Sequence, residues 1–547
     1  MSKSFNYLPD FILEGAIMYT DKGLYIAKSA DRELYILPKM ANRHGLIAGA
    51  TGTGKTVSLK VLAESFSDMG VPVIMADVKG DLAGMVRAGG DNASIGERVS
   101  EFGLLEKGFT YKAFPTCFWD LFAKKGLPLR TTISEFGPLL LAKLLDLNQV
   151  QSDILNIVFK IADDEGLLLI DIKDLKAMLN YVSENSAQYK AEYGNISSQS
   201  VAAIMRAVVA LSDRGAEEFF GEPALNIRDW MRTTQDSRAY INIIDASSLI
   251  QDTLAYSTFM LWMLSELFET MPEVGDLEKP KMVFFFDEAH VLFNQSNPAV
   301  QAKIELIVRL IRSKGISIFF VTQNPTDIPN AVASQLGNRI QHGLRAFTPA
   351  EQKNVKAVAE TFRQEEGKDL VSVITNLKVG DAVVSTLQED GSPSFAEVVS
   401  IYPPKSKLDA VDAFVRQQLV NQSPFYDKYA EMFDRESAHE QLLALEQQFQ
   451  QEQEEALAQR EAEKQAEAER KEAEKQEALA QKEAEKQAKL EEKERERQER
   501  ELERQARQAA TKKGDSAMDR FTKNIMSSVG REVGRVITRG VMGLFKK

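Results

Sequence analysis

Residues 41–56 read ANRHGLIAGATGTGKT. The second half, Gly49-Ala50-Thr51-Gly52-Thr53-Gly54-Lys55-Thr56, fills the pattern G-x-x-x-x-G-K-[ST] at every fixed position. Glycines let the backbone turn tightly enough for successive N–H groups to converge on an anion. A helix opening near Gly54 adds its dipole to that field. The apolar run GLIAG (45–49) supplies a strand before the loop, and 55–69 reads as the helix after it. In that context the octapeptide is a phosphate cradle. Gly49 through Thr56, with Val57 beside them, are the expected nucleotide-binding residues; Lys55 would bridge the β- and γ-phosphates, and the Thr56 hydroxyl would be a Mg²⁺ ligand. Arg43 and His44 stand directly ahead of the strand, and the loop itself gives them no task.

Working outward, further apolar runs occur at 71–77 (VPVIMAD), 239–245 (AYINIID), 281–287 (KMVFFFD), 316–322 (ISIFFVT) and 339–345 (RIQHGLR). Runs this continuous predict strands covered on both faces, the mark of a mostly parallel sheet with helices on either side. Ahead of them, 23–37 alternates apolar and polar about a polar turn and predicts a hairpin. Between 131 and about 230 the strand signals fade and a helical insertion is expected. After 345, DAVVSTL (381–387) and FAEVVSI (395–401) predict a closing pair of strands.

A phosphate cradle that hydrolyses its ligand needs carboxylates nearby. KMVFFFDEAH supplies Asp287 and Glu288 at the end of an apolar strand, where open α/β sheets place ligands. Asp287 is expected to hold Mg²⁺ through water, and Glu288 to polarise the attacking water. His290 is read as structural. The next strand ends in Thr322-Gln323-Asn324, and Gln323 is the expected γ-phosphate sensor.

The chain has 547 residues, 44% of them hydrophobic, a formal net charge of −13 and one cysteine. That charge argues against a broadly basic surface for nucleic acid, though not against a local basic channel. A single cysteine excludes a disulfide framework within the chain and fits a reducing compartment. The opening residues show no apolar secretory core and no run is long enough to cross a bilayer, so the expected location is cytoplasmic.

From about 436 the composition changes. EAEKQ recurs at 461, 472 and 483, an eleven-residue period rich in strong helix formers, with Glu–Lys pairs three and four apart. No sustained large apolar seam accompanies it, so a long solvated helix is favoured over a coiled coil. Residues 511–547 hold nine Lys/Arg and three Asp/Glu. Their valines and isoleucine fall on one helical stripe and their arginines on another, the pattern of a basic amphipathic helix that packs on protein, with membrane or nucleic acid as alternatives.

GATGTGKT, ADVKGDLAG, FFFDEAHVLF, IRSKGISIFFVTQNP and QLGNRIQHGLRAF, in this order and spacing, resemble the HerA–FtsK class of hexameric ATPases, and most of all the bacterial HerA-like proteins of the YjgR type. DEAH alone invites comparison with DEAH-box RNA helicases, but LGNRIQHGLR is not their downstream arginine-glycine motif. The resemblance implies an α/β, RecA-like P-loop core with a helical insertion, assembled as a homo-hexamer with ATP and Mg²⁺ between neighbours. It implies that Arg43 and Arg312 reach the neighbouring subunit's site as arginine fingers, and that Asp77 and Asp81 match the acidic pair after the second strand. HerA proper has a sizeable β-barrel ahead of its ATPase, whereas about 40 residues precede the P-loop here, which puts docking of a nuclease through that barrel in doubt.

The expected organisation is a β-hairpin region (1–40), an ATPase core in two parts (41–130 and 238–405) around a helical insertion (131–237), a linker with helices (406–435), a charged helical repeat (436–512) and a basic amphipathic end (513–547). The leading expectation is a ring ATPase that translocates on or unwinds double-stranded DNA, with Lys124, Lys125 and Arg130 as possible pore cations. The alternatives are an ATP-driven remodelling protein or scaffold that presents a protein partner on its charged helix, and a helical interaction protein whose ATPase acts as an assembly switch.

Overall fold

The apolar runs become neighbours in one 13-stranded sheet. In chain order its strands are β1 (Tyr19–Thr20), β2 (Gly23–Lys28), β3 (Glu33–Ile36), β4 (Gly45–Ala48), β5 (Val73–Asp77), β6 (Thr116–Asp120), β7 (Leu127–Pro128), β8 (Ile241–Asp245), β9 (Met282–Phe286), β10 (Ile316–Thr322), β11 (Asn338–His342), β12 (Asp381–Ser385) and β13 (Glu397–Ile401). This computed structural model describes residues 19–509 apart from 21, 31 and 295–297. The basic amphipathic segment expected at 513–547 lies outside the described residues.

The spatial order is β1-β2-β13-β12-β11-β4-β10-β9-β5-β8-β6-β7, with β3 paired to β2. From β11 to β7 every pairing is parallel. β4, β5, β8, β9 and β10 are buried along their whole length, as strands with helices on both faces must be. The 23–37 hairpin and the closing pair β12/β13 extend the sheet antiparallel.

One buried strand near the end of the sheet has no counterpart in the sequence reading. β6, TCFWD, pairs with β8 in parallel and is almost wholly buried. Its apolar run is only three residues long, and Pro115 and the 121–126 turn crowd both ends. At Asp120 the carboxylate accepts the backbone N–H groups of Phe122, Lys124 and Lys125, which closes that turn.

The insertion is helical. Thr132, Asn148 and Asp171 form capping boxes at the starts of the helices Ile133–Leu144, Gln149–Glu165 and Ile172–Glu184. These helices and Ser198–Leu211 bury Leu155, Val158, Leu175, Leu179 and Ile204 among themselves. Phe136 stacks on Trp262 of the helix Thr253–Thr270, which joins the bundle to the sheet.

The stretch after β13 packs into the same core. Phe425 and Tyr429 close on Trp119 of β6, with ring centroids 5.6 and 5.3 Å away. Arg130 is buried and donates to Tyr429 O at 2.9 Å, so it is not a pore cation. Lys125 is likewise engaged, donating to Ser247 Oγ at 2.7 Å. The first compact unit runs to Leu445, beyond the expected boundary at 435. Ser437 Oγ and His439 N both donate to Asp174 Oδ1, and Ala438 and Leu442 are buried. In the second unit the helix Ala438–Ala509 continues with its described side chains exposed from Glu446 onward. Among the described residues no helix is long and apolar enough to cross a membrane.

Candidate functional site

The site lies at the carboxyl ends of the parallel strands, and sterics explain its loop. At Gly49 (φ +155) a Cβ would meet His342 Cβ at 2.5 Å and Thr53 Oγ1 at 2.8 Å; at Gly54 (φ +116) it would press on the Gly380 backbone at 3.2 Å. Both positions need glycine for conformation and for space. His342, at the end of β11, backs the loop. Its Nδ1–H donates to Asp381 O at 2.9 Å and its Nε2 accepts from Ser58 Oγ at 2.8 Å; burial pushes the imidazole down to about 4, so it stays neutral.

The helix Lys55–Asp68 starts at the loop. Lys55 Nζ folds back to donate to Gly49 O at 2.6 Å and Ala50 O at 3.0 Å, and its burial lowers its pKa. Such an ammonium, itself buried and held on carbonyls of a loop whose tip, Thr51 and Gly52, is exposed, is ready to be exchanged onto a phosphate. A cleft of ≈ 250 Å³ opens here, lined by Thr51, Gly52, Gly54, Lys55, Thr56, Val57, Lys79 and Asp287. The hydroxyls of Thr51 and Thr56 and the ammonium groups of Lys55 and Lys79 suit it to a polyphosphate. The Thr56 hydroxyl donates to Asp81 Oδ2 at 3.3 Å, so Asp81 as well as Asp287 stands where Mg²⁺ would be held.

The expected acid pair follows β9. Asp287 is buried; desolvation first, and the charge of Glu288 second, push it up to about 7. Glu288 has φ +50, a left-handed conformation that costs a non-glycine residue roughly 1–3 kcal/mol. Burial opposes its ionisation, but hydrogen bonds from His290, Lys79 and Gln323 outweigh that and hold the carboxyl at about 2. The Gln323 amide donates to both carboxylate oxygens, at 3.1 and 3.2 Å, while its own oxygen accepts from Thr51 Oγ1 at 3.2 Å. Gln323 therefore joins the phosphate loop to the acid. β10 lies between β4 and β9, and that strand order makes the link possible.

Arg43 and Arg312 sit elsewhere. Both precede the amino ends of their strands, β4 and β10, so they occupy the opposite edge of the sheet from the cleft. The extended strand Gly45–Ala48, rising about 3.3 Å per residue, stands between Arg43 and the loop that begins at Gly49. The two segments are tied together, with Asn42 Nδ2 donating to Arg312 O at 3.5 Å. Neighbouring His44 has a structural role. From a backbone at φ +56 it donates through Nε2 to Val308 O at 3.0 Å and accepts from Ile318 N at 2.9 Å, locking the helix Pro298–Leu310 to β10.

Glu288 has two further charged neighbours, one of them not named in the sequence reading and the other, His290, read there as structural. Lys79, within ADVKGD, pairs with Glu288 Oε1 at 2.7 Å. His290 reaches Glu288 Oε2 at 3.3 Å, and that contact raises its pKa. A cation placed two residues before Asp81 after a parallel strand was the available signal for Lys79. Asp77, the first of the acidic pair, is buried; its carboxylate accepts from Gly80 N and Leu82 N and shapes this turn.

Comparison with known proteins places this geometry. DNA double-strand break repair helicase HerA of Sulfurisphaera tokodaii is 28% identical over 148 residues, which make up 26% of this chain and 28% of that protein. The match thus spans little more than a quarter of that relative's length. Among solved structures, the bacterial conjugative coupling protein TrwBdeltaN70 aligns with a TM-score of 0.48 at 14% identity, over 73% of this chain and 93% of the other. VirB4 of Thermoanaerobacter pseudethanolicus gives 0.45 at 14%, over 73% and 99%. The family model for helicase HerA-like C-terminal proteins matches residues 22–547, nearly the entire sequence, and the chain belongs to that family.

Proposed function

We infer that this protein is an ATPase that assembles as a ring and couples hydrolysis to movement along, or unwinding of, double-stranded DNA. The observation that carries this reading is the division of the machinery between two edges of one sheet. Cradle, acid and sensor side chain share the carboxyl edge, whereas Arg43 and Arg312 stand on the amino edge, out of reach of their own cleft. Arginines so placed serve a nucleotide only when a second copy brings its cleft to them, and a ring does this at every interface. Family membership and the DNA repair helicase among the relatives support DNA as the track.

In the hydrolytic step, Lys55 binds the β- and γ-phosphates and the backbone N–H groups of 52–56 orient them. Glu288 takes a proton from the attacking water, whose oxygen bonds to the γ-phosphorus as the bond to the β-phosphate oxygen breaks. Gln323 positions that water. Bound at Thr56 with Asp81 and Asp287 nearby, Mg²⁺ would neutralise phosphate charge. Arg43 and Arg312 from the neighbour would balance charge on the transferred group.

ATPase rate measured with and without double-stranded DNA, at low and moderate salt, tests the reading. Stimulation that fades with salt is expected, because phosphate contacts release counterions. A rate indifferent to DNA at every salt concentration would favour the ATP-driven remodelling alternative.

A further inference from the structure

Lys79 has no role in the hydrolytic step as described, yet its position is well defined. It stands in the turn after β5, whose backbone is fixed by the two N–H bonds to Asp77. Its stem lines the nucleotide cleft beside Lys55, and its side chain is 43% exposed. Its ion-pair partner is Glu288, at 2.7 Å.

Glu288 is fully engaged by its neighbours. Oε1 accepts from Lys79 and from the Gln323 amide; Oε2 accepts from Gln323 and faces His290 Nδ1. A carboxylate so occupied is poorly placed to receive a proton from water. The donors differ in what can remove them. Gln323 is neutral and tied to Thr51, and His290 lies on Glu288's own segment just after β9. Lys79 carries a full charge on a long stem that is 43% exposed, so its ammonium, unlike the buried carboxylate, can turn toward an anion entering the cleft. A third phosphoryl group entering next to Lys55 brings more negative charge than one carboxylate and offers three oxygens to the same ammonium.

We propose that Lys79 is a positioning residue that senses the terminal phosphate: through its ion pair it restrains Glu288, it transfers its ammonium to the γ-phosphate when a nucleoside triphosphate binds, and it thereby frees Glu288 Oε1 for the attacking water. A diphosphate lacks the group that draws Lys79 away, so the pair re-forms when the terminal phosphate departs. The exchange rests on the assignment of the cleft to ATP made above.

The test is equilibrium binding of Mg²⁺–ATPγS and Mg²⁺–ADP to the full-length protein and to Lys79→Met, Lys79→Arg, Glu288→Gln and the Glu288→Gln/Lys79→Met double variant. Lys79→Met is expected to weaken ATPγS about tenfold while ADP changes less than about twofold, as loss of a charged contact to one phosphoryl group implies. The unchanged ADP affinity also shows that the variant is folded. Lys79→Arg is expected to restore the parent's preference. Glu288→Gln should tighten ATPγS, and that gain should shrink several-fold when Lys79 is also absent. A Lys79→Met variant with the parent's ratio of ATPγS to ADP affinity would mean the ammonium never leaves Glu288, and the proposal falls. An undiminished gain from Glu288→Gln in the double variant overturns it as well. Failure of the parent to bind either nucleotide overturns the ATP assignment itself, and the exchange with it.

Discussion

At the scale of the residue, the proposed roles of Lys55 and Glu288 are expected to be separable. Lys55→Ala removes the buried ammonium that rests on Gly49 O and Ala50 O, so tight ATP binding is expected to be lost. Glu288→Gln leaves the cradle intact, so binding persists while kcat falls by about 10²-fold or more, the usual scale for losing a general base. Nucleotide titration beside a turnover assay checks both, and equal affinity in Lys55→Ala and the parent would refute the site assignment. Their placement at the carboxyl ends of β4 and β9 was legible because it follows a local pattern, G-x-x-x-x-G-K-T or two carboxylates ending an apolar strand. Lys79 was illegible as an actor because its partner lies 209 positions further along the chain, and only the parallel pairing of β5 with β9 brings the two turns together. His44 shows the same limit. Its neighbour Arg43 drew attention, whereas its own two hydrogen bonds depend on segments more than 260 residues away.

At the scale of the element, the strands with continuous apolar runs could be read directly, because burial on both faces leaves a compositional trace. β6 could not, since three apolar residues between a proline and a turn are too few to declare a period. The end of the core was obscured for a related reason: Ser437, Ala438 and Leu442 look like the start of the charged repeat. In the folded chain they satisfy Asp174 and cover the insertion helices. Cutting after residue 435 removes two hydrogen bonds to a buried carboxylate and one buried leucine, together about 3–5 kcal/mol. That is a large share of a typical total stability of roughly 5–15 kcal/mol. A chain ending at 445 is expected to melt near the parent temperature and keep basal ATPase, and one ending at 435 to melt several degrees lower. Calorimetry on the two truncations decides, and equal melting temperatures would show that the contacts beyond 435 are dispensable.

At the scale of the whole molecule, the opposed edges of the sheet give Arg43 a distinctive signature. Arg43→Ala should bind ATP almost normally, because the cleft of the same chain is untouched, yet hydrolyse it poorly. Mixed with Glu288→Gln, itself inactive, it should regain activity at interfaces that pair an intact Glu288 with an intact neighbouring Arg43. Full turnover by Arg43→Ala alone would make the residue a bystander, and loss without rescue would point to strict coordination around the ring. The sequence offered this role only through family resemblance; nothing in ANRHG itself says which edge of a sheet it will occupy. The helix that opens at the phosphate loop carries a further consequence. Lys60, fully buried, donates to Asp81 O, Lys407 O and Leu408 O, and Glu64, also buried, accepts from the backbone of Lys405 and Ser406. Neither charge can be left behind in the interior without its partners. The chain's route out of the sheet is therefore moored to the helix that meets the nucleotide. Any displacement of that helix would have to carry 405–408 with it or break those buried bonds.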